Sequence, residues 1–412
     1  MKHYAIESHL LSMKGKWIQS LLKGEGQVEV FKGKRGLLFS TITLETMIDE
    51  EVRHNQFLLS NSNERSIRTY SSGEQRKALL KYQMSQKPDF LVLDNPFDCL
   101  DVESVATLKN QLIDLAHIIP MVQIFKRHTD IMPFVSEVLV VDEESLKQSV
   151  ELNQFLEQNL HQQTAFLSAD IPAPLKHFKD IPEILIELKK VSVNYEGRCI
   201  VKDITWKIKR GEFWHLKGRN GSGKTTLLSM IYGDNPKAYG VDLFLFGQKK
   251  GSGESVWDLK EKMGYFTPSM TELFQSNHTV EQMVISGLVD SVGLYLKPTD
   301  RQKNLAQRWL NVLGLLDKKN DRFYRLSQVN QRLILIVRAM IKHPPLLILD
   351  EPSTGLDDYS ASLMVQLIQK IAEESNTAII YVSHRKEEGL EPKFTYELQS
   401  SKEGSLGGIM TE

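Results

Sequence analysis

Gly218-Arg219-Asn220-Gly221-Ser222-Gly223-Lys224-Thr225 is the stretch that decides the fold of this 412-residue chain. Glycines at 218, 221 and 223 let a backbone wrap an oxyanion with its N–H groups, at angles a Cβ would obstruct. A strand-like run from Thr205 leads into the loop, and Thr226-Leu227-Leu228-Ser229-Met230-Ile231 leaves it as a helix. Strand, glycine loop and helix form the setting a phosphate-binding loop needs. The helix directs its positive end at the same phosphates. Lys224 is placed to bridge β- and γ-phosphates, and the Thr225 hydroxyl to ligate Mg²⁺. Arg219, Asn220, Ser222 and Thr226 complete the expected nucleotide contacts, so ATP and Mg²⁺ are the implied ligands.

Some 125 residues on, the apolar run Leu346-Leu347-Ile348-Leu349 ends in Asp350-Glu351. Burying two adjacent carboxylates is costly unless a cation or water needs them. Asp350 is expected to hold magnesium, and Glu351 to orient and deprotonate an attacking water. His384 follows another apolar strand, Ile380-Tyr381-Val382, and could reach the γ-phosphate; a structural histidine is the competing reading. Tyr195 precedes the loop and could stack on adenine, against the alternative of a core tyrosine.

Composition bounds the rest. Hydrophobic residues at 41% and charged residues at 25% are ordinary for globular domains. A net charge of -1 argues against a protein that mainly grips nucleic acid by its phosphates. Cys99 and Cys199, with no CxxC pair, read as buried small residues of a reducing compartment. No run approaches the ~18 apolar residues a membrane span needs, and the start lacks a signal-peptide core. The expected location is the cytoplasm, free or docked at a membrane through another subunit.

The chain also repeats itself. Tyr70-Ser71-Ser72-Gly73-Glu74-Gln75-Arg76, then Phe90-Leu91-Val92-Leu93-Asp94-Asn95-Pro96 and Leu100-Asp101, echo Leu326-Ser327-Gln328-Val329-Asn330-Gln331-Arg332, then 346–352 and Leu356-Asp357. The blocks stand 256 residues apart throughout (70 to 326, 94 to 350). A helix is expected over about 143–163, and Pro172, Pro174 and Pro182 punctuate the join. The expected division is 1–165, a linker over 166–182, and 183–412, each half an α/β unit with a largely parallel sheet.

These residues resemble the ATP-binding cassette (ABC) ATPases: Tyr195, the phosphate loop 218–226, the strand 346–351, Ser353-Thr354-Gly355-Leu356-Asp357 and His384 come in family order. Gly240 to Tyr265, with Gly251-Ser252-Gly253-Glu254-Ser255-Val256-Trp257-Asp258, is similar more narrowly to tandem-cassette proteins of the ModF/PhrA type, the molybdenum-transport or photorepair ATP-binding proteins. The resemblance implies two P-loop cassettes in tandem that close head to tail on ATP, each site pairing one cassette's phosphate loop with the other's signature serine and glycine. The first half is degenerate. In Leu10-Leu11-Ser12-Met13-Lys14-Gly15-Lys16-Trp17 only the Gly-Lys survives, and Trp17 replaces the hydroxyl. Asn95 stands where Glu351 stands, and the switch histidine is displaced or lost in Ile124-Phe125-Lys126-Arg127-His128. Ser71 and Gly73 are kept. The second half has lost its signature glycines, with Val329 in the way.

One composite site therefore survives: Lys224, Thr225, Asp350, Glu351 and His384 facing Ser71 and Gly73. Pro268 stands near the place of a glutamine expected after Tyr265, so turnover should be slow. The expected function is an ATPase whose closing cassettes act on a separate membrane subunit or other protein. A ribosome-associated translation factor and a nucleotide-binding scaffold with little hydrolysis are the alternatives.

Overall fold

The structure, a computed structural model, describes residues 1–8, 16–25, 28–54, 57–59, 66–142, 145–160, 167, 169–274, 277–294 and 296–410. It divides into two compact units: Met1–Thr164 with Gly355–Tyr359, and Ala165–Thr354 with Ser360–Glu412.

In unit 1, strands β1 (Tyr4–Glu7), β2 (Gly36–Phe39), β3 (Phe90–Asp94), β4 (Met121–Phe125), β5 (Glu137–Asp142) and β6 (Ser145–Glu151) form one six-stranded sheet in the order β2-β3-β4-β1-β5-β6. It is parallel except for the closing β5–β6 pair. Helices α1 (Lys16–Leu22), α2 (Thr41–His54), α3 (Ser72–Ser85), α4 (Val102–Ala116) and α5 (Leu152–Leu160) connect or flank it.

Unit 2 begins with an antiparallel sheet of β7 (Ile184–Tyr195), β8 (Arg198–Lys209), β10 (Leu243–Leu245) and β11 (Gln248–Lys249), ordered β11-β10-β7-β8. Its main sheet holds β9 (Phe213–Gly218), β12 (Met263–Phe266), β13 (Leu346–Asp350), β14 (Ala378–Val382), β15 (Phe394–Gln399) and β16 (Leu406–Met410), ordered β12-β13-β14-β9-β15-β16. Continuous apolar runs such as β13 and β14 are what a parallel sheet buried on both faces demands. The phosphate loop opens α6 (Lys224–Tyr232), and α7 (Val256–Glu261) precedes β12. After β12 come α8 (Met270–Leu273), α9 (Val280–Ser286), α10 (Asp300–Val312) and α11 (Gln328–Met340); α12 (Asp358–Glu374) joins β13 to β14. Thr279 and Thr299 start α9 and α10 with capping boxes, satisfying first-turn N–H groups.

The two main sheets share one strand order, β2-β3-β4-β1-β5-β6 against β12-β13-β14-β9-β15-β16. The repeat extends to backbone conformation: Lys87, Asn95 and Cys99 have positive φ, and so do His343, Glu351 and Gly355, each 256 residues on. Among the described residues unit 1 has no counterpart of the four-stranded antiparallel sheet. The chain is thus α/β, two P-loop cassettes in tandem, the first abbreviated and degenerate.

Two expectations are corrected. The helix expected over 143–163 is a strand, Ser145–Glu151, then a shorter helix, Leu152–Leu160. Pairing with β5 overrides the local pattern there, since Ser149 also bonds Glu137 across the pair at 2.6 Å. Cys99 is exposed, not buried, in a left-handed turn position matched 256 residues on by Gly355, and Cys199 is half-buried. Of the weak loop-like run 10–17, residues 10–15 lie outside the described residues; Lys16 and Trp17 begin α1, with Trp17 in the core. Residues 169–183 carry no helix or strand.

Candidate nucleotide site

The site in unit 2 is built by three strand ends. At the end of β9, Gly218 has φ 155°, and a Cβ there would meet the Leu398 carbonyl oxygen at 2.9 Å. At Gly223, φ is 94° and a Cβ would sit 2.5 Å from Val201 Cγ1, so the loop packs too closely for any side chain. Lys224 folds back over the loop, its Nζ donating to the carbonyls of Gly218 (2.7 Å) and Arg219 (3.1 Å). This holds the ammonium at the mouth of the backbone cradle.

At the end of β13 the chain turns sharply. Glu351 takes φ 52°, while its N–H still donates to the Val382 carbonyl at 2.9 Å. A non-glycine residue in this region costs energy and marks a site where geometry is being imposed. The Glu351 carboxylate accepts from Thr354 Oγ1 at 2.8 Å and lies 3.3 Å from His384 Nε2. Burial, reinforced by the Asp350 charge, raises its pKa to about 7 against the opposing pull of Thr354 and Lys224. Burial also raises Asp350.

A cleft of about 520 Å³ brings together Asn220, Gly221, Gly223, Lys224, Thr225, Thr226, Asp350, Glu351 and His384, with Arg198 and Ile200. Gly218 and Ser222 lie behind it, shaping the loop, and Ser222 is buried. Arg219 contributes a carbonyl to the Lys224 bond. Tyr195 does not line the cleft. Its hydroxyl is tied to Asn235 at 2.8–3.0 Å, and Lys237 Nζ sits 5.6 Å from its ring centre. Arg198 and Ile200 are absent from the sequence reading; the only available signal was their position across a two-residue turn from Tyr195.

The residues fit a hydrated magnesium. Among the described residues no group of three or more His, Cys, Asp or Glu could cage a metal. The half-buried Asp350 carboxylate and the Thr225 hydroxyl line one cleft, and with phosphate oxygens of a bound triphosphate they would give the oxygen donors Mg²⁺ favours.

Unit 1 carries the counterparts in altered form. The amide Nδ2 of Asn95 donates to Asp94 Oδ1 at 2.7 Å, and burial raises Asp94. By strand register Ile124 matches Val382, since they face Asp94 and Asp350 respectively. The residue in the place of His384 is therefore Lys126, which pairs with Asp98 at 3.1 Å. His128 lies two residues further and pairs with Asp358 at 3.0 Å. Ser71 caps α3, accepting from the Glu74 N–H, while Glu74 accepts from the Ser71 N–H at 2.7 Å. A Cβ on Gly73 would meet Ser104 Oγ at 2.5 Å. In unit 2 Ser327 likewise caps α11, but Val329 stands in the glycine's place.

A phosphate loop, a strand-end acid pair and a repeated capped helix define an ATP-binding cassette protein, and residues 201–354 match the family model described as ABC transporter. The chain belongs to the ATP-binding proteins of the ABC transporter family. It is 37% identical to the ABC transporter ATP-binding protein ModF of Escherichia coli K12, over 85% of this chain and 74% of that protein. An uncharacterized ABC transporter ATP-binding protein of Schizosaccharomyces pombe is 30% identical over 78% of this chain and 66% of its own length. A solved chain from a model of ribosome-bound archaeal Pelota and ABCE1 superposes on 100% of this chain and 74% of itself, with a TM-score of 0.64. At 15% identity that likeness shows the fold alone. Proteins of this family bind and hydrolyse ATP. No helix among the described residues is long and apolar enough to cross a membrane.

The raised Glu351 has two measurable consequences. Should Glu351 be the base that activates water, it must be deprotonated to act, and kcat/KM for ATP would then fall about tenfold per pH unit below about 7. A profile flat from pH 5.5 to 8 would contradict this. In the nucleotide-free protein the sign runs the other way for stability. The folded carboxylate holds its proton above the unfolded value, so its contribution is full below pH 4.5 and lost as pH rises through about 7. Glu351→Gln should accordingly raise the melting temperature at pH 8 more than at pH 5.

Proposed function

We propose that the chain hydrolyses MgATP slowly at one composite site. Lys224, Thr225, Asp350, Glu351 and His384 come from unit 2, and Ser71 and Gly73 from unit 1. The observation that carries this is the direction of the losses. Unit 2 keeps its loop and its base but has Val329; unit 1 keeps Ser71 and Gly73 but has Asn95 and Lys126. Independent decay would not leave one complementary pair.

In this reading the loop N–H groups and the Lys224 ammonium hold the β- and γ-phosphates. Glu351 accepts the proton of a water whose oxygen attacks the γ-phosphorus, and the β–γ bridging oxygen leaves with ADP. His384, beside the Glu351 carboxylate, fixes its direction and reaches toward the γ-phosphate. Mg²⁺ held through Asp350 and Thr225 supplies positive charge to the phosphate oxygens. Ser71 Oγ and the α3 N–H groups near Gly73 donate to the γ-phosphate from the other side. Binding thus favours a closed arrangement of the units and hydrolysis releases it. The work goes to a partner, a membrane subunit or another protein. Pro268, directly after β12 and Thr267, stands near the place where the family resemblance leads one to expect a glutamine, which favours slow turnover.

Nucleotide stoichiometry tests this. Equilibrium binding of MgATP should saturate at one per chain. Two equivalent sites per chain would overturn the asymmetric reading.

A further inference from the structure

Resting on Glu351 as the base proposed above, we infer that the buried Ser353–Glu387 hydrogen bond positions it, by tying the loop that carries Glu351 to the loop that carries His384. Glu351 and Ser353 follow β13, while His384 and Glu387 follow β14, its parallel neighbour. The two loops meet once at the cleft, where Glu351 and His384 lie 3.3 Å apart. They meet a second time behind it. Ser353 Oγ donates to Glu387 Oε1 at 2.5 Å, and the Tyr381 hydroxyl lies 3.5 Å from the same Oγ.

Ser353, Tyr381 and Glu387 are all buried, and a carboxylate is a costly group to bury. What the cost supports is local geometry. Glu351 holds φ 52°, a conformation that persists only where its surroundings over-determine it. Arg332 Nη1 fastens this loop to α11 through the carbonyls of Pro352 (3.0 Å) and Thr354 (2.6 Å). Glu387 fastens it to the His384 side. That side is itself steadied from β9, where His215 Nε2 meets the Ser383 carbonyl at 3.1 Å.

Unit 1 supplies the control. At the place matching Ser353, 256 residues earlier, it has Phe97, buried in an apolar cluster, yet Asn95 keeps its positive φ of 42°. The turn therefore forms without a serine and a buried acid. The polar bond accompanies the unit whose strand ends in Asp350-Glu351, and not the one whose strand ends in Asp94-Asn95.

The test is the split between turnover and binding, read from steady-state hydrolysis and equilibrium binding of MgATP. Ser353→Ala combined with Glu387→Met removes both partners and leaves neither orphaned, so the protein should fold as wild type does. Its kcat should fall about ten- to hundredfold, the loss expected of a misplaced reacting group, while the Kd for MgATP stays within about threefold. Ser353→Thr keeps the hydroxyl and should hold kcat within about threefold of wild type, whereas Ser353→Val, of the same shape without it, should fall with the double variant. The inference is overturned if the double variant turns over like wild type, if the Thr and Val variants lose activity equally, or if kcat and MgATP affinity fall together. Hydrolysis that is absent from wild type, or unaltered by Glu351→Gln, refutes the base itself, a result distinct from all three.

Discussion

Glu351→Gln should lower phosphate release by about 10²- to 10⁴-fold while leaving MgATP bound. The loss follows from what an amide cannot do: it has no lone pair basic enough to take a proton from water at neutral pH. Retention of ATP follows from where the binding groups lie. The backbone cradle, Lys224 and Thr225 belong to the turn after β9, where the Gly218 and Arg219 carbonyls hold the Lys224 ammonium. The amide is also nearly the same size, so Thr354 and His384 keep a neighbour. Phosphate release and nucleotide retained after gel filtration are the two readouts. A protein that only binds nucleotide as a scaffold would show the same negligible release before and after the change. Unit 1 carries this substitution's analogue naturally, with Asn95 bonded to Asp94.

The second large effect separates the two signature serines. Ser71→Arg and Ser327→Arg each delete an N-cap, at α3 and α11, and each should cost about 1 kcal/mol of stability. Their stability costs are thus matched. Their turnover should not be. In the composite site proposed above, Ser71→Arg would remove the hydroxyl offered to the γ-phosphate, and loss of one such oriented donor costs on the order of 10²-fold or more. On the same proposal Ser327, beside Val329, serves no competent site, so Ser327→Arg should leave hydrolysis within about twofold. Steady-state ATPase rates beside melting temperatures for both variants read this directly. Equal rates would mean that unit 1 contributes nothing to the ATP held by unit 2.

Much of the cassette is legible without coordinates, because its signals are local in the chain. Gly218 to Thr225 specifies a backbone path through its glycines, and Leu346 to Glu351 specifies a buried strand ending in acids. The even 256-residue offset between the halves is likewise visible, and it survives into paired φ values at Asn95 and Glu351. What failed was wherever a partner distant in sequence decided the outcome. Ser145–Glu151 became a strand through β5, and Cys99 stands exposed in a turn after β3.

The sequence by itself determined the family of the chain, the α/β repeat and the places of the glycine loop and the strand-end acids, since each depends on spacing within a few turns or one strand. Only the tertiary structure decided that Glu351 sits in a left-handed turn with its proton affinity raised by burial, and that Lys126 takes the switch position in unit 1. It alone also decided that Tyr195 is engaged by Asn235 while Arg198 faces the cleft. Desolvation, strand register and hydrogen bonds across 40 residues or more are set by packing, and no local pattern encodes them.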